Sequence, residues 1–470
     1  MNSIAPKPKD GFDSLRQNLY AGARKVEAYK PEEYSGKDLK ISKLRRERPQ
    51  AVEDPRVAFT LTETDGVLHW EPGYGFAAPG RRRAFRAGPL VTGRVIAPVN
   101  AERLGESQVG AFLEHFDKQL TPNCDPQNPE SGLRQLSKGA WGSEPARPGK
   151  SGRILLFVHG TFSNVDAYLK ELQRIPAGRA FLQEIEDKYD QVLGFDHATL
   201  SVSPVMNALD LARLFQDCQA DVDVIAHSRG GLVTRWWLEQ FDSRGGGSAR
   251  SILAGSPLDG TSLAAPDRLK GALDLLTNVA HALGTAGELA SSMIPFMTVV
   301  TGLMRVICSV TSIAAKTPVL DAALAMIPGL AAQSQVTNNN ERFRLNQACS
   351  RKLEYYAIRA NFQTDDPGWK FWRYFVELGD RVKEAGANVV FQSENDLVVN
   401  TASMAVLARR PADDLIASDR ILDFDGKDKV YHTVYFRQEQ TVNFIRECFE
   451  MDKMPAVDRR PAPKATRKKK

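Results

Sequence analysis

The stretch Asp221-Val222-Asp223-Val224-Ile225-Ala226-His227-Ser228-Arg229-Gly230-Gly231-Leu232-Val233 runs from an apolar strand pattern through a small-x-Ser-x-Gly turn into a helical pattern. A serine lifted on such a turn can attack a carbonyl carbon once a base takes its proton. Small residues suit the flanks of that turn, because backbone and neighbouring elements come close there; Ala226 and Gly230 meet the need, and His227 stands between Ala226 and the serine. Ala226 takes the place of the first glycine in G-x-S-x-G. The competing reading is a serine in an ordinary strand-to-helix turn.

Acyl transfer places negative charge on the former carbonyl oxygen, and donors must already point at it. Ile154-Leu155-Leu156-Phe157-Val158-His159-Gly160-Thr161-Phe162 ends an apolar strand in a His-Gly turn. Such a turn offers a backbone N–H, here that of Thr161, to be joined by the N–H of Arg229 just after the serine. His159 reads as part of the turn rather than as a proton carrier.

A base and a carboxylate should follow the serine in the order acid, then histidine. Asn388-Val389-Val390-Phe391-Gln392 has strand character, and Ser393-Glu394-Asn395-Asp396-Leu397-Val398-Val399 follows as a turn with two acids. Asp396, followed by apolar residues, is preferred to Glu394, which is expected in solvent. His432, in Val430-Tyr431-His432-Thr433, is the one histidine after the acid. His197 and His281 fall outside that order, and His69 and His115 precede the whole block.

The elements that must position these residues point to an α/β domain over 151–450. Arg153 to Val158, Val192 to Phe195, Val222 to Ala226 and Ser251 to Ala254 are short apolar runs separated by helical patterns. Alternation of that kind implies a mostly parallel sheet covered on both faces, with function gathered at the carboxyl ends of its strands. Further elements are a strand in 352–360 and a helix over Glu439 to Phe449. Before this domain, 1–50 reads as an extended lead-in and 51–121 as a small β-containing module. That module has a hairpin from Val57 to Trp70, a strand at Leu90 to Ile96 and a helix over 107–120. Residues 122–150, rich in proline and glycine, read as a linker.

Residues 153–450 resemble the α/β-hydrolase superfamily, and the spelling is similar to its lipase-like branch, with the triacylglycerol lipases and the GPI inositol-deacylase-like proteins. The matching blocks are His159-Gly160, Ala226-His227-Ser228-Arg229-Gly230-Gly231, Asn395-Asp396-Leu397-Val398-Val399 and His432-Thr433. A fifth, Ala254-Gly255-Ser256-Pro257-Leu258-Asp259-Gly260-Thr261, is similar to the lipase Gly-Thr-Pro-His-x-Gly turn, with Ser256 for Thr and Leu258 for His. The resemblance implies an α/β-hydrolase fold and a serine esterase of lipase type needing no metal or organic cofactor.

Between the fifth block and the next strand, 263–335 has few charges and recurrent apolar residues at helical spacing, Leu269, Leu273, Leu276, Ala280 and Leu283, then Met293, Phe296, Met297, Val300, Met304 and Ile307. Helices there are expected to roof the site as a lid, packed on the core or opening onto lipid. A membrane span is disfavoured because Arg305 interrupts the apolar run.

The chain has 470 residues, with 62 Lys and Arg against 57 Asp and Glu. Seven of those 62 lie within 459–470, so the remaining 55 against 57 leave a near-neutral body and no electrostatic reason to expect nucleic acid. The tail reads as a disordered, solubilising appendage, with peripheral contact to anionic membrane lipid, or contact to nucleic acid, as the alternative. Five scattered cysteines suggest neither a disulfide framework nor a zinc site. The first residues lack a signal-peptide pattern, so a cytoplasmic location is expected. The expected substrate is a small-molecule or lipid ester with a hydrophobic acyl group. Two alternatives remain: acyl transfer or amide cleavage by the same residues, and a catalytically silent interaction protein.

Overall fold

The computed structural model describes residues 57–64, 67–72, 98–100, 109–125, 128–264, 269–285, 327–335, 339–347, 353–363, 393–407, 415–426 and 429–457. Strands β1 (Val57–Thr64) and β2 (Val67–Pro72) form the expected hairpin, with Leu61 opposite Trp70, and β3 (Pro98–Asn100) pairs with the other edge of β1. Helix α1 (Val109–Leu120) follows. The strand expected at Leu90 to Ile96 lies outside the described residues, as do 1–50, the tail, Asn388 to Gln392 and the apolar run from Met293 to Ile307.

The remaining elements build an α/β fold, a mostly parallel eight-stranded sheet with flanking helices. In chain order they are β4 (Leu133–Ser137), β5 (Ala140–Trp141), β6 (Arg153–Val158), α2 (Asp166–Leu172), α3 (Pro176–Lys188), β7 (Gln191–Phe195), α4 (Pro204–Leu214), β8 (Asp221–His227), α5 (Gly230–Trp236) and β9 (Ala249–Ala254). After them come α6 (Leu269–Thr285), α7 (Pro328–Ala331), α8 (Asn340–Leu345), β10 (Glu354–Ala360), β11 (Ile421–Phe424) and α9 (Glu439–Cys448). The sheet order is β11-β10-β9-β8-β6-β7-β4-β5, parallel from β11 to β7 and antiparallel at β4 and β5.

The strand sequences explain the layering. Successive side chains point to opposite faces, so a strand covered on both sides must be apolar throughout. In β6, Leu155 and Phe157 enter a core shared with α2, α3 and α9, while Ile154, Leu156 and Val158 enter a second core with α4 and α5. Ile225 of β8 joins the first core, and Val224 and Ala226 the second. Each fully buried Leu, Ile or Phe in these layers contributes about 1.5–3 kcal/mol relative to exposure.

One expectation about organisation needs correction. Residues 122–150 are not merely a linker, because β4 adds to the sheet edge beside β7, Leu133 opposite Phe195, and β5 turns back on β4. Leu133, Leu136 and Trp141 are buried, and the Trp141 indole N–H donates to the Val165 carbonyl at 3.1 Å. A proline- and glycine-rich composition hid three well-spaced apolar anchors. The three-stranded sheet β1–β3 lies within 51–121, and buried side chains of that module pack into the main core. Leu68, Trp70, Leu113 and Phe116 belong to the same buried cluster as Leu155 and Phe157.

Candidate active site

Ser228 sits between β8 and α5 with φ of +54°, the left-handed region that a non-glycine residue enters only at a cost. Its own N–H donates to the Ala254 carbonyl of β9 at 2.8 Å, and the Gly231 N–H donates back to the Ser228 carbonyl at 3.0 Å. The turn is closed by residues without side chains. A Cβ on Gly160 would lie 2.7 Å from Ser228 Cβ, and one on Gly230 would lie 2.2 Å from the Val158 carbonyl oxygen. Ala226 is wholly buried between β6 and β9, where its methyl is the largest group the sequence places at this point of the turn.

Asp396 lies in the turn at 393–400 and is completely buried, whereas Glu394 beside it is exposed. Its Oδ1 accepts the N–H groups of Val398 (3.1 Å) and Val399 (2.8 Å). Its Oδ2 accepts from His432 Nδ1 at 2.8 Å and from the Tyr435 hydroxyl at 2.7 Å. The bond from Nδ1–H leaves the Nε2 lone pair of His432 available as a base. The His432 N–H also donates to the Asp396 carbonyl, at 3.0 Å, which ties the two loops by backbone as well as side chain. Ser228 and His432 line one cavity of about 170 Å³, and the Ser228 hydroxyl makes no hydrogen bond among the described residues. Such bonds are often long before substrate binds.

The backbone N–H groups of Thr161 and Arg229 have no acceptor among the described residues. The next N–H, that of Phe162 (φ +56°), is already given to Thr199 Oγ1 at 3.3 Å. The Thr161 side chain is held instead by Gln333, whose Nε2 donates to Thr161 Oγ1 at 2.9 Å. Arg229 turns its guanidinium away, buried, donating to the Val202 carbonyl (2.6 Å) and Asn207 Oδ1 (2.7 Å). Burial lowers its pKa to about 10 against the raising fields of Asp117 and Glu341, so it remains a cation at neutral pH.

The neighbouring histidines are fixed and neutral. His159 accepts the His197 N–H on Nε2 (3.1 Å) and donates from Nδ1 to the Gly160 carbonyl (2.9 Å), and burial pushes its pKa down to about 3. His227 donates from Nε2 to the His432 carbonyl at 2.8 Å, and burial, followed by the adjacent His432, pushes it down to about 3. Both rings support the turn rather than titrate near neutral pH. The cavity wall is largely apolar, with Phe162, Leu263, Ala272, Leu276, Leu330 and Phe436, and Glu171 pairs with Arg437 at its edge. Among the described residues, no group of three or more His, Cys, Asp or Glu side chains is placed to hold a metal ion, and no helix is long and apolar enough to cross a membrane.

The site thus gathers Ser228, Asp396, His432, Thr161, Arg229, His159, Gly160, Ala226, His227 and Gly230 at the carboxyl ends of β6 and β8. Three participants were not singled out from sequence. Tyr435 stands three residues after His432, at the start of a short 3-10 helix that follows a turn, and no sequence pattern marked it. Gly255 (φ +55°) backs the pair, since a Cβ there would lie 3.1 Å from both Asp396 Oδ2 and His432 Nδ1. Gln333 had no local signal at all, as its role depends on a partner far away in the chain.

A sequence model of the family described as "Domain of unknown function (DUF7379)" matches residues 130–450. No curated protein matches the chain. Similar solved structures include the mature form of Bacillus licheniformis lipase BlEst2, at 17% identity over 64% of this chain and 93% of that one, TM-score 0.31. Lipase 1 from Pelosinus fermentans is 12% identical over 64% of this chain and 99% of that one, TM-score 0.37. A putative aryl esterase from Burkholderia cenocepacia is 10% identical over 65% and 93%, TM-score 0.32.

Proposed function

The chain belongs to the family described as a domain of unknown function (DUF7379), and as that description names no reaction, we propose from the site itself that it is a serine hydrolase acting on carboxylic esters. One observation carries the reading: a strained Ser228 shares a cavity with His432, whose Nδ1 is bonded to the buried Asp396.

In this reading Ser228 Oγ attacks the ester carbonyl carbon while His432 Nε2 takes its proton. The resulting oxyanion accepts the free N–H groups of Thr161 and Arg229. The C–O bond to the alcohol then breaks, His432 returns the proton to the departing alkoxide, and the acyl group stays on Ser228. Water repeats the sequence, attacking the acyl carbon as His432 takes its proton; the bond to Ser228 Oγ then breaks, His432 returns the proton to that oxygen, and the carboxylic acid leaves. Asp396 keeps the proton on Nδ1 and stabilises the transient imidazolium. The apolar wall of the cavity supports an ester with a hydrophobic acyl group.

Ser228→Ala is expected to abolish hydrolysis of a chain-length series of p-nitrophenyl esters and to prevent labelling by a fluorophosphonate probe. Undiminished turnover by this variant would end the proposal. Labelling at Ser228 without net hydrolysis, but with ester formed on an added alcohol, would turn the reading to acyl transfer.

A further inference from the structure

Resting on that reading, we infer that Tyr435 is a positioning residue that tunes the basicity of His432 through the carboxylate they share. The Tyr435 hydroxyl donates at 2.7 Å to Asp396 Oδ2, the same oxygen that accepts from His432 Nδ1 at 2.8 Å. With Val398 and Val399 on Oδ1, the carboxylate has four donors and no solvent exposure. Two backbone N–H groups on one oxygen would already hold the loop. A phenol on the other oxygen does something different, because it competes with the imidazole for the same negative charge.

Tyr435 is itself fixed. It is wholly buried, its ring lies where a Cβ on Gly255 would meet Tyr435 Cε2 at 2.7 Å, and its hydroxyl lies 3.6 Å from Met404 Sδ. Burial and the Asp396 charge hold the phenol well above its ordinary pKa, so it stays a donor across the working range. The other charged or titratable groups facing this assembly are few. His227 on β8 bonds the His432 carbonyl and feels Asp396; Asp423 on β11 acts on Tyr435; Glu171 on α2 pairs with Arg437 at the cavity edge; and His159 lies beyond His227. The two histidines are buried neutral, Glu171 and Arg437 neutralise each other and Asp423 pairs with Arg359, which leaves Asp396 as the charged group in direct contact with the base and the phenol acting through that carboxylate.

A hydrogen bond drawn from the carboxylate weakens its hold on an imidazolium. Removing the phenol oxygen therefore raises the affinity of His432 for a proton, and the imidazole is less often free to act as base. The test is Tyr435→Phe, which keeps the ring, read by the ¹⁵N NMR titration of His432 and by the acid limb of the kcat/KM profile on a p-nitrophenyl ester. Both are expected to move up by about one pH unit, and kcat at neutral pH to fall severalfold. A purely structural tyrosine would change stability and leave both midpoints in place, and that result overturns the inference. Fluorotyrosine at 435, a stronger donor that preserves the whole side chain, is expected to shift the His432 titration the other way. An unchanged or raised midpoint there also overturns it. The NMR titration needs no turnover, so it separates this inference from the reading beneath it, which fails instead if the wild-type protein is not labelled at Ser228.

Discussion

At the scale of single residues, the site is built on refused side chains. Ser228 at φ +54° stores roughly 1–3 kcal/mol, and its turn persists because Gly160 and Gly230 leave room for it. Gly160→Ala would push a methyl to within 2.7 Å of Ser228 Cβ. The proposed esterase activity is expected to fall by about a hundredfold or more, with a circular dichroism spectrum close to wild type. The buried histidines give a second prediction. His159 and His227, lowered to about 3, and His197, lowered well below its ordinary value by burial, bind fewer protons folded than unfolded, so their contribution is present above about pH 6.5 and is lost as pH falls. Asp196 and Asp210, raised by burial to about 6, act in the opposite sense below that pH. Burial raises Asp223 and Glu341 as well, in the same sense as Asp196 and Asp210. His197→Phe, which keeps a ring between Phe195 and His159, should reduce the slope of unfolding free energy against pH below about pH 6.5. Denaturant titrations at several pH values measure that slope, and an unaltered slope contradicts it.

At the scale of elements, α1 reaches the site through one carboxylate. Asp117, buried at the end of α1, accepts the N–H groups of Thr199 (2.8 Å), Leu200 (3.1 Å) and Ser201 (2.8 Å) as well as the Ser201 hydroxyl (2.7 Å). Thr199 in turn accepts the Phe162 N–H, and the N–H of Thr161 is left over. Asp117→Ala orphans several buried donors at a cost of about 1–3 kcal/mol each. The expected result is more than about 2 kcal/mol of lost stability by denaturant unfolding, together with a lower kcat. Asp117→Asn, which retains one acceptor oxygen, should lose less of both.

The whole molecule decides how the cavity is walled. Helix α6 turns Ala272 and Leu276 to the cavity and is held on β2 by Asp274, Thr277 and Asn278. Asp274 accepts the Trp70 N–H at 2.7 Å, the Trp70 indole donates to Thr277 Oγ1 at 2.8 Å, and Asn278 both accepts from and donates to the Leu68 backbone. The first helix of the insertion is therefore braced by the amino-terminal hairpin. Trp70→Ala should cost about 3–5 kcal/mol and raise KM for long-chain esters more than for acetate esters. Equal effects along the chain-length series would show that α6 does not face the acyl group.

The amino-acid sequence alone specifies the strand–turn–helix around Ser228, the His159-Gly160 turn, and the order of Asp396 and His432. Each of those is a local pattern in which periodicity or a required small residue appears within a few positions. It determined the α/β layering for the same reason, since a strand buried on both faces must be apolar throughout. Long-range packing is what makes 133–141 complete the sheet, β2 brace α6, Gln333 hold Thr161 and Tyr435 share an oxygen with His432. Those pairings join residues that their own neighbourhoods do not mark: Leu68 to Asn278 spans 210 positions and Thr161 to Gln333 spans 172. A hydrogen bond at that separation exists only once both partners have been buried in one place, and no periodicity along the chain records it.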